Sequence, residues 1–559
     1  METHDKAREQ LKIWKESLKN NFYEEDNNLK HTLRYYFKDQ FKDLDKELSF
    51  FSQKIFKELE PLVNENDLVF NNPRLESYDD VGEQNQKVIH HPFYNEVGDI
   101  IYSSGLMKKM SSPGGLLESL CFFYLSSHGG EAGHNCPIAC SAGIIRIFQK
   151  LDLPNKDLYL KKLIEPSYTQ NFTGAQFLTE IQGGSDVGKN ATVAFLDENK
   201  QWKIKGEKWF CSNANAELIL MTARFDHEKP GTKGLGLFLL PSHLPDGQKN
   251  HYTLRRLKNK IGTRSMASSE IDFNGAHAWP VGKLEEGFSL VMENVLHISR
   301  IFNTFAVLGQ SSRAYQIAKS YSHFREAFGK KIIEYPLVQE TLAKVKSEKL
   351  ALIAFIFKTT RLQDETDTNK GSEKQKLLLR VLVNLNKYIS SLWAVEHIHR
   401  SIDILGGNGA IESFSPLPRL LRDSIVCENW EGTHNTLRMQ ILRDIHRYKV
   451  DEIFLSFLKN DLYQESFKED INGLEEDFKS LKGQNEQVQT LLIKDIVHKM
   501  SMIVSALCLS KEAIHQAENN NEKIKEKALS LFRKTHLDRP SYDNDYLNLI
   551  KEINEVQCV

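Results

Sequence analysis

Apolar residues recur at spacings of three and four along most of this chain and at every second position in one middle stretch, which predicts helices, then a sheet, then helices. Up to about residue 162 the pattern is helical, with one long run over 29–59 and polar breaks at Asn71-Asn72-Pro73 and at Ser111-Ser112-Pro113-Gly114-Gly115. Between about 172 and 282 the period shortens. TVAFL and WKIKG flank an Asp-Glu-Asn-Lys turn and predict a hairpin, and LILMTARF, LGLFLL, YTLRRL and EIDF follow as further strands. After Gly287 three long amphipathic runs predict a helical bundle. Past Val450 helices resume around the apolar segment QVQTLLIKDIVHKMSMIVSALCL, and ENNNEKIKEK predicts a turn and a new helix start. The resulting expectation is a mainly α chain with a central β domain: helices over 1–170, the β domain over 171–282, a bundle over 283–449 and a helical extension over 450–559.

A chain of 559 residues exceeds what one small core can hold. It contains no run approaching the roughly 18 apolar residues of a membrane span, so no membrane partner is expected. Lys plus Arg number 73 against 75 for Asp plus Glu, a net charge of -2, which removes any composition-level reason to expect nucleic acid. The extension is more acidic still, with 14 basic against 20 acidic residues over 450–559, and should repel a polyanion. Seven cysteines without regular spacing are no disulfide framework, which together with the absence of a recognisable leader at either end predicts the cytoplasm. Cys136 and Cys140 are the only close pair, and with no partner cluster no metal site is expected.

Five local sequences could carry chemistry. In FLTEIQGGSD (177–186), paired glycines followed by Ser make a turn whose amides can converge on an anion. KWFCSN (208–213) sets two aromatics before a hydroxyl at a strand end. REAFGK (325–330) reads as a helix carrying a fixed cation and ending at Phe-Gly. ILGGNG (404–409) closes a long helix, but no strand precedes it and the third glycine of GxGxxG is missing, which argues against a Rossmann site. ENWEGTHN (428–435) places Glu431 between an indole and a glycine, where it is either a desolvated base with a raised pKa or a helix N-terminal charge. Each alone is more often an ordinary turn or cap.

Taken in order, TExxGGSD, KWFxS, RxxFG, LGGNG and WEGT resemble the acyl-CoA dehydrogenase flavoprotein superfamily over roughly 91–448. EAGHNCPI, RLKNKIGTRSMAS and NWEGTHN bring the chain nearest to its AidB branch, the adaptive-response flavoprotein. The resemblance implies N-terminal helices, a β-barrel-like middle domain and a four-helix bundle, with FAD completed by a neighbouring subunit of a homotetramer. It implies that Thr179, Phe210 and Ser212 face the flavin ring, and that Ser185 with the Gly183-Gly184 turn holds the pyrophosphate. By the same resemblance Arg325, Phe328, Gln339 and Gly407 would bind the dinucleotide across the subunit boundary, and Thr433 with Asn435 would meet the adenosine half. Glu431 becomes the base for the α-proton of an acyl-CoA, with Trp430 and Arg264 at the substrate and the electron acceptor open. An alternative is an AidB-like flavoprotein that binds nucleic acid or acyl-CoA as a protective or sensing module with little turnover. Phe210, Ser212 and Trp430 depart from the commonest residues of the superfamily, and Asp403 stands where many relatives carry Gln near the pyrophosphate.

Overall fold

The computed structural model describes residues 3–462, 465–520, 522–538 and 541–555. The chain forms two compact units from interleaved stretches. One takes Met1–Glu58, Tyr124–Gly130 and Asn303–Val559, and the other takes Leu59–Phe123 and Glu131–Phe302.

The second of these holds the strands: β1 (Arg74–Tyr78), β2 (Gln84–Ile89), β3 (Gly174–Phe177), β4 (Val193–Leu196), β5 (Trp202–Ser212), β6 (Leu218–Arg224), β7 (Leu235–Pro241), β8 (Tyr252–Leu257), β9 (Ser268–His277) and β10 (Trp279–Pro280). β1 and β2 form a separate antiparallel hairpin. The remaining eight make one mixed sheet in the order β10-β7-β6-β4-β5-β9-β8, with β3 parallel to β6. Its end strands β8 and β10 do not pair with each other, so the sheet is an open path. The predicted hairpin is present, with Val193 opposite Lys205 and Leu196 opposite Trp202. β6 and β7 are the continuous apolar runs LILMTAR and LGLFLLP and are buried on both faces, as such runs require. Phe177, Ile204, Ile219, Met221, Phe238, Leu240, Ile271 and Phe273 form the core between strands.

The helix Asn135–Lys150 lies directly on β3. The Gly174 amide donates to Ser141 Oγ at 2.8 Å, and a Cβ on Gly174 would stand 2.8 Å from the Ser141 backbone nitrogen, so only glycine allows this approach. Cys136 and Cys140 sit one turn apart on that helix with their Sγ atoms 3.7 Å apart. Among the described residues no group of three His, Cys, Asp or Glu side chains is placed to hold a metal, and no helix is long and apolar enough to cross a membrane.

The helical unit corrects the long run expected over 29–59. Asn27–Phe37 and Phe41–Lys54 are separate helices, broken where Lys38 adopts φ 47°. Its bundle comprises the helix His297–Phe324 from Asn303 on, Pro336–Asn369, Glu373–Leu405, Leu417–Asn429 and His434–Tyr448. Beyond it come Val450–Phe457, Lys468–Lys482, Glu486–Asn520, Ile524–His536 and Asn544–Ile553. These last helices are built into the unit. Ser347 Oγ donates to the Ala528 carbonyl at 2.6 Å, Lys346 Nζ to the Ile553 carbonyl at 2.8 Å, and Lys525 Nζ to Thr32 Oγ1 at 2.7 Å. Arg313 is 1% exposed, donates to the Leu18 carbonyl at 3.0 Å and lies against the rings of Phe22 and Phe56. The fold is thus mainly helical, with a mixed sheet in the middle of the chain and helices continuing past the bundle.

Burial of neutral imidazoles gives this fold an acid edge. Burial first, then neighbouring cations, pushes His31 and His128 of the helical unit down to about 3, and burial does the same to His134 of the other unit. A histidine whose folded pKa is depressed contributes stability that is present above its unfolded value near 6.5 and is lost as pH falls below it. Each such group removes about 1.4 kcal/mol per pH unit below that point. Urea unfolding followed on the helical unit should therefore show a midpoint well below its pH 7.5 value at pH 5.5. An unchanged midpoint would mean that these rings are charged in the native protein.

Candidate functional site

On the sheet-bearing unit, the turn after β3 and the end of β5 are joined. The Trp209 amide donates to the Thr179 carbonyl at 2.9 Å, at a point where the β5–β9 register shifts between Lys208 and Cys211. Such a bulge turns successive side chains off the regular alternation. Lys208 and Cys211 go inward, while Phe210 stands 54% exposed and Ser212 is half-buried. Beneath them lies an ion pair that no spacing argument signalled. Glu180 and Lys208 are buried and meet at 2.6 Å, and Glu180 also accepts from the amides of Ala191 and Thr192. Burial works against the charge on Glu180, yet Lys208 and those donors outweigh it and hold the carboxyl below its usual range. Lys208 also donates to the Leu178 carbonyl, so the pair fixes the 178–184 turn to β5.

Within that turn the Gly183 amide is taken by the Glu180 carbonyl at 3.0 Å, which removes it from the amides expected to converge on an anion. Gly184 and Ser185 remain exposed. A Cβ on Gly184 would stand 3.0 Å from Thr179 Oγ1, so the bare glycine lets Thr179 close against the turn. Arg264 is half-buried in the loop before β9, beside Thr263 at φ 50°. Lys258 Nζ lies 3.5 Å from the centre of the Trp209 ring and 2.8 Å from Glu270.

On the helical unit, the long helix stops at Phe324, so Arg325 lies outside it rather than in its last turn. Two short strands, β11 (Glu326–Ala327) and β12 (Lys330–Lys331), pair across a turn made by Phe328 at φ 51° and Gly329 at φ 86°. The Tyr335 hydroxyl donates to the Ala327 carbonyl at 2.9 Å and holds the hairpin. Phe328 is 99% exposed, and Arg325 is exposed with no carboxylate partner among the described residues. Gly406, at φ 60°, and Gly407 end the helix Glu373–Leu405 in open space.

Gln339 is 2% exposed, and its main-chain carbonyl accepts from Asn554 Nδ2, just past the last helix, at 2.7 Å. Asp403 is exposed and lines a cavity of about 310 Å³ with Glu340, Thr341, Lys344, His399 and Arg400.

Glu431 sits in a four-residue break between the helices Leu417–Asn429 and His434–Tyr448. It is half-buried with φ 58°, a conformation that non-glycine residues adopt at a cost of about 1–3 kcal/mol and that is concentrated at functional sites. Three contacts hold the break. Lys387, 0% exposed, donates 2.8 Å bonds to the carbonyls of both Glu428 and Gly432; His434 Nε2 meets Glu428 Oε1 at 2.6 Å; and the Trp430 indole N–H donates to Asn303 Oδ1. Lys387, the one charged residue in the stretch 381–395 of its helix, was the sequence signal for this clamp. Thr433 precedes the second helix with its Oγ1 3.0 Å from that of Thr436, and exposed Asn435 accepts from Arg438 at 2.9 Å.

The chemistry of these residues suits a flavin dinucleotide in most respects. An aromatic ring fully in solvent, an exposed unpaired guanidinium, two open glycines and a half-buried hydroxyl at a strand end are the apolar, cationic and donor groups that such a molecule needs. Asp403 does not add to that set, being a like charge to phosphate.

Residues 175–276 match the acyl-CoA dehydrogenase middle domain and residues 285–446 match the acyl-CoA dehydrogenase C-terminal domain. The chain belongs to the acyl-CoA dehydrogenase flavoprotein superfamily, a family of FAD-binding oxidoreductases. It is 29% identical to acyl-CoA dehydrogenase family member 11 of Caenorhabditis elegans, over 85% of this chain and 78% of that protein. It is 28% identical to the putative acyl-CoA dehydrogenase AidB of Escherichia coli, over 67% of this chain and 70% of that one. The crystal structure of Caenorhabditis elegans ACDH-11 in complex with C11-CoA superposes with a TM-score of 0.81 at 26% identity, covering 96% of this chain and 95% of that one. Identities of 29% and 28% single out no branch, so the expected AidB assignment narrows to the superfamily.

Proposed function

We propose that the protein is an FAD-dependent acyl-CoA dehydrogenase that desaturates an acyl thioester between its α and β carbons. The observation that carries this reading is the Glu431 turn. A carboxylate is kept in a strained left-handed conformation by a buried lysine and an anchored indole, which is more restraint than a helix-start charge needs. Glu431 takes the α-proton on its carboxylate; a flavin held by the residues named below would supply the acceptor for the hydride of the β carbon. Trp430 and Arg264 border the substrate. Thr179, Phe210 and Ser212 face the ring, Gly184 and Ser185 serve the pyrophosphate, and Gly407, Thr433 and Asn435 serve the rest of the dinucleotide.

The bare ring of Phe328 and the unpaired Arg325 are completed by FAD and a neighbouring subunit, so the active form is a homo-oligomer, a tetramer by family resemblance. The C11-CoA bound by the nematode relative supports a medium-length acyl chain as the first substrate to try. Asp403 favours a looser hold on FAD than relatives have, and with it the alternative of a binding protein with little turnover.

Anaerobic titration with acyl-CoAs of graded length tests the reading: bleaching of the flavin by at least one of them is expected, and binding without bleaching at every length would sink it. A companion result is expected from Arg325→Ala. Removing a guanidinium that faces an anionic pyrophosphate should lower FAD affinity by about tenfold or more, a charge-assisted bond being worth about 1.5–3 kcal/mol. Unchanged flavin content after extensive dialysis would show that Arg325 lies away from the cofactor.

A further inference from the structure

Ser212 and Ser268 are directly opposed across β5 and β9, with their hydroxyl oxygens 3.0 Å apart. Lys260, in the loop between β8 and β9, donates from Nζ to Ser268 Oγ at 3.1 Å and to the Met266 carbonyl at 2.7 Å. The three side chains form a chain of hydrogen bonds whose direction can be worked out. An ammonium only donates, so Ser268 accepts from Lys260. Ser268 is 3% exposed, and Ser212 Oγ is the one acceptor its hydroxyl reaches among the described residues. Leaving a buried hydroxyl proton unbonded costs about 1–3 kcal/mol, so that proton goes to Ser212. Ser212 therefore accepts from behind, and its own proton is turned away from Ser268. Half-buried at the end of β5, Ser212 becomes a hydrogen-bond donor of fixed direction, with a positive charge behind it.

We propose that Lys260, acting through Ser268, is a positioning residue that sets the Ser212 hydroxyl as an outward donor to the flavin ring and thereby raises the ring's affinity for electrons. This rests on the FAD reading above and adds to it a residue given no role there. A freely rotating hydroxyl would serve as donor or acceptor as the ring demands, whereas a hydroxyl oriented by a lysine can only donate. As the ring gains electrons on reduction, a fixed donor backed by a cation favours the reduced form. The same chain accounts for the serine here: β5 and β9 bring Ser212 and Ser268 together as a cross-strand pair, and their short side chains meet without an intervening group.

The midpoint potential of the bound flavin tests this, because a merely structural lysine would change stability without touching it. Lys260→Met should weaken binding of reduced relative to oxidised FAD by about tenfold, equal to a lowering of about 30 mV for a two-electron couple. Ser268→Ala, which removes only the relay, should move the potential the same way, and Lys260→Arg should restore most of the loss. The decisive comparison is a double-mutant cycle: in a Ser212→Ala background, Lys260→Met should shift the potential by less than a third of its effect alone. Equal shifts with and without the Ser212 hydroxyl, or no shift in flavin-loaded Lys260→Met and Ser268→Ala proteins, would overturn the relay while leaving the FAD reading intact. A wild-type protein that takes up no added FAD would overturn the FAD reading, and the relay with it.

Discussion

Replacing Glu431 by Gln is expected to leave the protein folded, yellow and able to bind acyl-CoA, while its flavin is no longer bleached by any thioester. Gln keeps the shape and the hydrogen-bonding reach of the side chain and tolerates φ 58° no better or worse than Glu, so the clamp by Lys387, His434 and Asn303 stays in place. What disappears is the base. Loss of a positioned general base costs about 10² to 10⁴-fold, and stopped-flow reduction at saturating acyl-CoA reads that factor directly. Glu431→Gly separates catalysis from fold. It should abolish reduction as fully, yet relieve part of the left-handed strain and raise stability by about 1 kcal/mol, the exchange of stability for function found at strained catalytic positions. Reduction by the Gln variant at the wild-type rate would place the base elsewhere.

The second large effect is expected at Glu348, on the helix Pro336–Asn369 that also carries Gln339. Its carboxylate is buried and accepts from His397 Nε2 at 2.8 Å, Arg400 Nη1 at 2.9 Å and His536 Nε2 at 3.0 Å, while His397 Nδ1 meets Ser311 Oγ at 2.8 Å. Burial alone would raise this carboxyl. The two imidazoles and the guanidinium outweigh it and hold Glu348 far below the usual carboxylate range. A depressed acid contributes stability above its unfolded pKa near 4.5, so the contribution is complete at neutral pH. Glu348→Gln puts an amide where three donors converge, and should cost about 3–5 kcal/mol, since it takes away the buried carboxylate charge that they face. Urea unfolding at pH 7.5 checks it, and a loss under 1 kcal/mol would mean that the cluster rearranges freely around the amide. His536 belongs to the helix Ile524–His536, so the same variant should loosen that helix first, seen as faster hydrogen exchange there than in the helix Glu373–Leu405.

What could be read from the sequence followed from period and from local turn chemistry. β4, β5, β6 and β7 were legible because apolar alternation or an unbroken apolar run marks a strand whatever its neighbours do. The hairpin of β1 and β2 was not, because LESYDDVGEQNQKV is polar on both faces and only Leu75 and Val88 reach the sheet core. The end of the helix at Phe324 was misplaced for a related reason: strands of two residues are too short to have a period. Motif order named the candidate site residues, and the residues that brace them escaped. Glu180 and Lys208 lay inside quoted motifs, but a buried ion pair is a property of two strands brought together and leaves no mark on either. The bond between Asn554 and the Gln339 carbonyl left no local mark, because the two stand 215 positions apart. The Glu348 cluster had a visible trace, charges within the apolar run KVKSEKLALIAF, although its partners lie 49, 52 and 188 positions off.

The helical unit joins parts of the chain that are made at very different times. Thr32 Oγ1 accepts a hydrogen bond from Lys525 and donates one to Glu512, each at 2.7 Å, across 493 and 480 positions. At a synthesis rate of about 5–20 residues per second, the helix Asn27–Phe37 leaves the ribosome roughly half a minute or more before the side chains that bury it exist. Until then Leu29, Leu33 and Phe37, all buried in the finished unit, lack part of their cover. The sheet of the other unit is complete once residue 280 has emerged, so its strands can pair while much of the bundle is still unmade. Newborn chains of this protein thus carry an apolar helix in need of shelter for most of their synthesis, and a demand for chaperone holding at the first helices, rather than at the sheet, is built into the order in which the chain is written.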